Sequence, residues 1–200
     1  MVDHLNLVGG FYFLETFILL GFLIWVAVVA SQNDIATLFK TVKEDEKLLG
    51  IDYHYRDLEI SFFAITGISI LLLLVAGSIM ILADRDREVY VDTAGTNYSI
   101  AVLTALLGLG LIVVGSLSFN NHEKLTKDYT SKEEKEAQSF LLSLKIDKTT
   151  EAIGYSGVIA GVLEIIMMIF FIVYYYYKIT LRPPSVEENF YPPEWEDFFI

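Results

Sequence analysis

Apolar residues gather into four long runs in this chain, and strongly polar intervals separate them. The runs cover residues 8–30, 60–83, 98–119 and 153–177. Each exceeds the roughly 20 residues needed to cross a ~30 Å hydrocarbon core at ~1.5 Å per helical residue. The pattern predicts an all-α integral membrane protein, a bundle of four transmembrane helices within residues 1–178. The first run is far longer than the apolar core of a signal peptide, and no Lys or Arg precedes it. It therefore reads as a retained span.

The polar intervals differ from one another. Residues 84–97 make a short turn, whereas 31–59 and 120–152 are each expected to hold an amphipathic helix, at about 34–49 and 131–145. In the first, Asn33-Asp34 offers a cap, Ile35, Leu38, Phe39 and Val42 recur at helical spacing, and Gly50 marks the end. In the second, Ser131 precedes Glu134 by three residues, the spacing of a capping box, and Ala137, Phe140, Leu141 and Leu144 follow. Such helices lie on a membrane surface, dock a partner, or cover the end of their own bundle. The two intervals also resemble each other. Ser31-Gln32-Asn33 aligns with Ser118-Phe119-Asn120, and Ile51-Asp52 with Ile146-Asp147. Two tandem span–amphipathic helix–span repeats about an axis along the membrane normal would produce this likeness.

Charge and composition narrow the function. With 26 acidic residues against 14 basic ones the net charge is −12, which disfavours nucleic acid as a partner. There is no cysteine, so disulfides, thiolate metal sites and thiol nucleophiles are excluded. His4, His54 and His122 all lie outside the apolar runs, which leaves no intramembrane haem or histidine–metal site. No metal or cofactor is expected on this chain alone; contact with membrane lipid is. Ten of the 14 basic residues fall in 31–59 and 120–152. The excess assigns those intervals to the cytoplasm and both termini to the outside. The expected location is the plasma membrane, with an organellar inner membrane as the alternative.

Two acids stand inside the runs, Glu15 and Glu164. A carboxylate at depth costs roughly 2.5–3.5 kcal/mol on insertion scales, so each is a candidate functional residue. Glu164 shares a helix face with Gly157 and Gly161, a small-xxx-small pair that admits a second helix closely. Without a cation beside it, a carboxyl in such a contact is expected to hold its proton. Glu15 enters the first run two turns in, with a depth offset from Glu164 of about 8 Å at ~1.5 Å per residue. Gly108, Gly110, Ala101 and Ala105 mark the third run as a close-packing helix. Hydroxyls in the second and third runs, among them Thr66, Ser69, Thr104 and Ser118, are candidate partners for the acids. Phe11-Tyr12-Phe13 and Tyr174–Tyr177 read as an aromatic belt.

The segment 179–200 is of another kind. All four prolines fall there, as Pro183-Pro184 and Pro192-Pro193, with Tyr191, Trp195, Phe198 and Phe199. Paired prolines favour an extended chain, so the segment is expected to dock onto a neighbour. No nucleotide loop, zinc motif or nucleophile elbow occurs, and no catalytic residue is assigned. The leading expectation is a non-catalytic accessory subunit of a larger membrane complex. The alternative is a small transporter or proton- or ion-conducting protein that uses Glu164. Against it, no apolar run contains the proline that breaks many transporter helices.

Overall fold

The computed structural model describes residues 3–33, 41–85 and 87–175. Within them the chain forms α1 (Asp3–Ala30), α2 (Thr41–Leu48), α3 (Tyr55–Arg85), α4 (Arg87–Thr126), α5 (Lys132–Ser143) and α6 (Ile146–Tyr175). Four of these are long and apolar enough to span a membrane, over Val8–Ala30, Tyr55–Leu82, Gly95–Thr126 and Ile146–Tyr174. The protein is an all-helical integral membrane protein. Large apolar side chains such as Phe17, Leu71, Leu106 and Val173 stay exposed along the spans, where lipid covers them.

The long helices form a ring. Around it α1 packs on α3, α3 on α4, α4 on α6, and α6 back on α1. Across the ring α3 touches α6, while α1 and α4 make no contact among the described residues. Neighbours run antiparallel: Gly9 faces Gly77 and Ile81, Gly110 faces Ile65, and Gly108 and Gly115 face Gly161 and Gly154. The tightest contact is α4 on α6. A Cβ added at Gly157 would lie 2.8 Å from the Leu111 carbonyl oxygen, and one at Gly115 would lie 2.8 Å from the Val158 backbone nitrogen. Water does not drive apolar helices together inside a bilayer, so close van der Waals contact between backbones has to do it.

The helices overrun the apolar runs, because their polar ends find partners. α2 and α5 lie across one end of the bundle and share a second core with Val42, Leu49, Leu125, Ala137, Leu141 and Ile146. The loop helices thus cover their own bundle. α2 begins at Thr41; Asp34, Ile35, Leu38 and Phe39, expected in its first turns, lie outside the described residues. It ends in a Schellman motif: Gly50 sits at φ 68°, and the Ile51 N–H donates to the Glu46 carbonyl. Ser131 occupies the N-cap of α5, but its hydroxyl makes no cap bond, so the capping box does not form.

At this capped end Asn121 Nδ2 donates to the Tyr53 carbonyl (2.7 Å), and Asn33 Nδ2 donates to Thr149 Oγ1 (2.8 Å). Each amide ties the end of one long helix to the start of another. A shift of 95 residues carries Gly50 onto Lys145, Ile51-Asp52 onto Ile146-Asp147 and Val42 onto Ala137. Gly50 and Lys145 are the two described residues with positive φ, and both end a cap helix. The ends of the two cap helices thus match under one shift, while the two amide bonds correspond only in place, one to a backbone carbonyl and one to a hydroxyl. Asn121, buried and bonded, stands where Asn33 does in the first half, and not Asn120, the residue that aligns with Asn33 in sequence, which is exposed.

One buried pair holds the cap together. Glu46 Oε2 lies 2.5 Å from His54 Nδ1, and its Oε1 accepts the Tyr55 N–H at 3.2 Å. Burial pushes the Glu46 carboxyl above its usual range, and the bonds from His54 and Tyr55 hold it back. Changing Glu46 to Ala is expected to cost about 1–3 kcal/mol, since it removes the bond to His54 and leaves the Tyr55 N–H without its acceptor. Hydrogen exchange over residues 41–55 should rise while the spans stay protected; equal protection in both proteins would show that the pair is dispensable.

Candidate functional site

The bundle interior carries a layer of polar side chains from several helices. α3 presents Glu59, Phe62, Thr66, Ser69 and Leu73 on one face, all buried. α6 presents Thr149, Ile153, Ser156, Ala160 and Glu164 in the same way. Steps of three and four along each helix keep these residues on the inner stripe. α1 adds Tyr12 and Glu15, and α4 adds Asn97, Thr104 and Ser118.

Glu164 is 1 % exposed and Glu15 2 %. Room for Glu164 comes from Gly108 on α4. A Cβ there would lie 3.0 Å from both Cβ and Oε2 of Glu164, so any larger residue would collide with the carboxyl. Opposite it, across the ring, stands Ser69 of α3, whose hydroxyl lies beside the carboxyl but outside hydrogen-bonding geometry. The same 95-residue shift that relates the caps carries Ser69 onto Glu164.

Glu15 approaches from α1, near enough for its charge to act on that of Glu164. Phe11 meets Phe170 at 5.7 Å and Tyr12 meets Phe171 at 5.9 Å between ring centroids. That register puts Glu164 level with residue 18 of α1, roughly 4.5 Å along the axis from Glu15 at ~1.5 Å per residue. The offset is smaller than the sequence suggests because α1 starts at Asp3 and projects beyond its apolar run. Tyr12 is drawn into the core at 2 % exposure instead of joining an aromatic belt, since Gly9 and Gly77 bring α1 and α3 close together.

Most hydroxyls nearby are committed elsewhere. Thr16 donates to the Tyr12 carbonyl, Thr104 to Ala101, Ser61 to Asp57 and Ser78 to Leu74, all within their own helices. By contrast, Thr66 and Ser69, and all four oxygens of Glu15 and Glu164, have no hydrogen-bond partner among the described residues. A carboxyl buried without a partner costs several kcal/mol and demands an explanation. The arrangement suits proton holding: two carboxyls about a turn apart in register, two hydroxyls without a partner, and, among the described residues, no basic side chain acting on the pair. The nearest ion pair of the layer, Arg56 with Glu59 at 2.6 Å, lies at its capped end.

The other candidate residues fall as follows. Gly157 and Gly161 pack against α4, Gly161 against the Gly108 carbonyl. Ala101 and Ala105 are buried. Gly110 looks toward α3, where a Cβ would meet Ile65 at an ordinary 3.4 Å. Pro183, Pro184, Tyr191, Pro192, Pro193, Trp195, Phe198 and Phe199 lie outside the described residues. Sequence reasoning missed Glu59 and Glu46 as buried acids. Their signal was present, since Glu59 falls between Tyr55, Leu58 and Phe62 and Glu46 between Val42 and Leu49. Comparison with protein-family models, with curated proteins and with solved structures finds no match for this chain.

Proposed function

We propose that this protein is a small proton-carrying membrane protein whose proton-binding site is the Glu15–Glu164 pair. The carrying observation is that both acids face the bundle interior with their oxygens unpartnered among the described residues. An acid meant for a neighbouring subunit would face outward. Relay positions exist on both sides of the pair: Asn97 toward the chain termini, and Ser118, Ser156 and Glu59 toward the cap. Each has a buried oxygen unpartnered among the described residues, in Glu59 only Oε2 because Arg56 donates to Oε1. Ordered water bridging such groups would complete a hydrogen-bonded path. The four spans are continuous helices, so they offer no unwound carbonyls to coordinate a metal cation. A proton needs none.

The test is proton flux into vesicles reconstituted with the full chain, holding a pH-sensitive dye and an imposed potential. Flux should exceed that of empty vesicles, and Glu164→Gln and Glu15→Gln should each lower it at least tenfold. Undiminished flux in Glu164→Gln would rule the site out.

A second reading is the accessory subunit, to which the 179–200 segment belongs. One observation favours it: Leu48, Tyr53, Phe140 and Leu142 stay exposed on the cap. In that case the native protein leaves a mild detergent extract as part of a larger assembly, and the isolated chain carries no flux. In either reading the ten-to-four distribution of basic residues favours a cytoplasmic cap, in a plasma membrane or, as the alternative, an organellar inner membrane. Single cysteines at Ser131 and Ser185 should then react with an impermeant reagent in sealed cells only at position 185. The reverse result would invert the topology.

A further inference from the structure

At the capped end a groove of about 420 Å³ opens between α1 and α6. Trp25, Val29 and Gln32 line it from one side, and Lys148, Glu151 and Tyr155 from the other. In the repeating arrangement of the bundle its counterpart is the junction of α4 with α3. That junction is closed: Lys124 Nζ donates to the Gly50 carbonyl and lies 3.2 Å from Asp52, beside the Asn121–Tyr53 bond. The α1–α6 junction has the Asn33–Thr149 bond, but Lys148 and Glu151 form no ion pair among the described residues. The groove is thus where the two halves differ.

Its chemistry is layered. Lys148 and Glu151 stand three residues apart on α6, so they share a face and present a cation and an anion side by side. They sit where the apolar span gives way to the polar cap. One turn deeper, Trp25 and Tyr155 remain about half exposed, the position of interfacial aromatics. Phe119 fixes the Tyr155 ring edge-on at 4.9 Å. Val29 and Trp25 offer an apolar wall beneath the charges. A polar mouth with two opposite charges above an apolar wall, open to the side, fits a zwitterionic lipid.

We propose that this groove binds one phospholipid whose headgroup carries a phosphate and a primary ammonium, of the ethanolamine type. Lys148 meets the phosphate. Glu151 and the Gln32 carbonyl accept hydrogen bonds from the ammonium, which a quaternary amine cannot give. One acyl chain lies along Val29 and Trp25. The site is independent of the acid pair.

Thermal unfolding of the full-length protein in detergent tests this, with added short-chain ethanolamine, choline or glycerol phospholipid, alongside native mass spectrometry. One equivalent of the ethanolamine lipid should be retained and should raise the midpoint at tenfold lower concentration than the other two. Lys148→Ala and Glu151→Ala, both at exposed positions, should each weaken that response at least fivefold without shifting the lipid-free midpoint. Glu151→Lys should turn the preference toward the anionic glycerol lipid. Equal responses to the three lipids, or variants that respond like the wild type, would overturn the proposal. So would a preference for choline, which would put Trp25 and not Glu151 against the amine.

Discussion

Gly161→Leu is expected to separate α4 from α6 and to prevent the bundle from forming as a stable unit. A Cβ at this position would already collide with the Gly108 carbonyl and lie 2.7 Å from Ile112 Cγ1 and 3.0 Å from the Ile112 nitrogen. Backbone atoms cannot swing aside as a side chain does, so the helices must part. Overpacking inside a tight contact costs typically 1–3 kcal/mol and more where backbone has to move, and about 3 kcal/mol or above is expected here. The loss extends beyond the substituted site. The contacts of Gly115 with Val158 and Gly154, and of Gly108 with Glu164, depend on the same approach. Gly110→Ala is the control: its Cβ meets Ile65 at 3.4 Å, and a helical Gly-to-Ala change contributes about 0.5–1 kcal/mol of stability. Thermal unfolding in detergent separates the two. If Gly161→Leu melts within a few degrees of the wild type, the close α4–α6 approach is not what holds the bundle.

The four spans were legible because a lipid-facing helix must be apolar for its whole crossing, and nothing in a soluble fold imposes such long runs. Helix ends were less legible. α3 begins at Tyr55, five residues before its apolar run, since Tyr55, Leu58 and Glu59 are buried by the cap. The bonds that bury them join Asn121 to Tyr53 and Lys124 to Gly50, and a local pattern cannot show partners that far along the chain. The Gly157–Gly161–Glu164 face could be read from spacing alone. That Gly108 is the residue making room for Glu164, and that Ser69 stands opposite, depends on the register between helices. The same register decides that Tyr12 turns inward and that Glu15 reaches the level of Glu164. Amphipathic loop helices signalled an apolar surface to be covered, but the candidates for the cover were a membrane, a partner and the bundle itself. The second core of Val42, Ala137 and Leu141 shows the bundle taking that part.

Glu164→Met is expected to raise stability while abolishing the proposed proton transport. Met is unbranched and close to Glu in length, so it fills the space over Gly108 without a new collision. It removes two buried oxygens that have no hydrogen-bond partner among the described residues. A buried polar group without a compensating hydrogen bond costs about 1–3 kcal/mol on protein mutational data, and an apolar side chain of similar volume relieves that cost. The opposite sign is expected if the carboxyl holds the helices together, because Met would then strand Ser69 and Glu15 as well. The pair of readouts therefore separates a carboxyl kept for its proton from one kept for packing. Glu164→Gln should lie between them, holding stability near the wild-type value while losing flux, since an amide occupies the same space but cannot take up and release a proton near neutral pH. A higher unfolding midpoint in Glu164→Met with no flux is the result that a functional acid requires; a lower midpoint with flux intact in Glu164→Gln would make the acid a structural one.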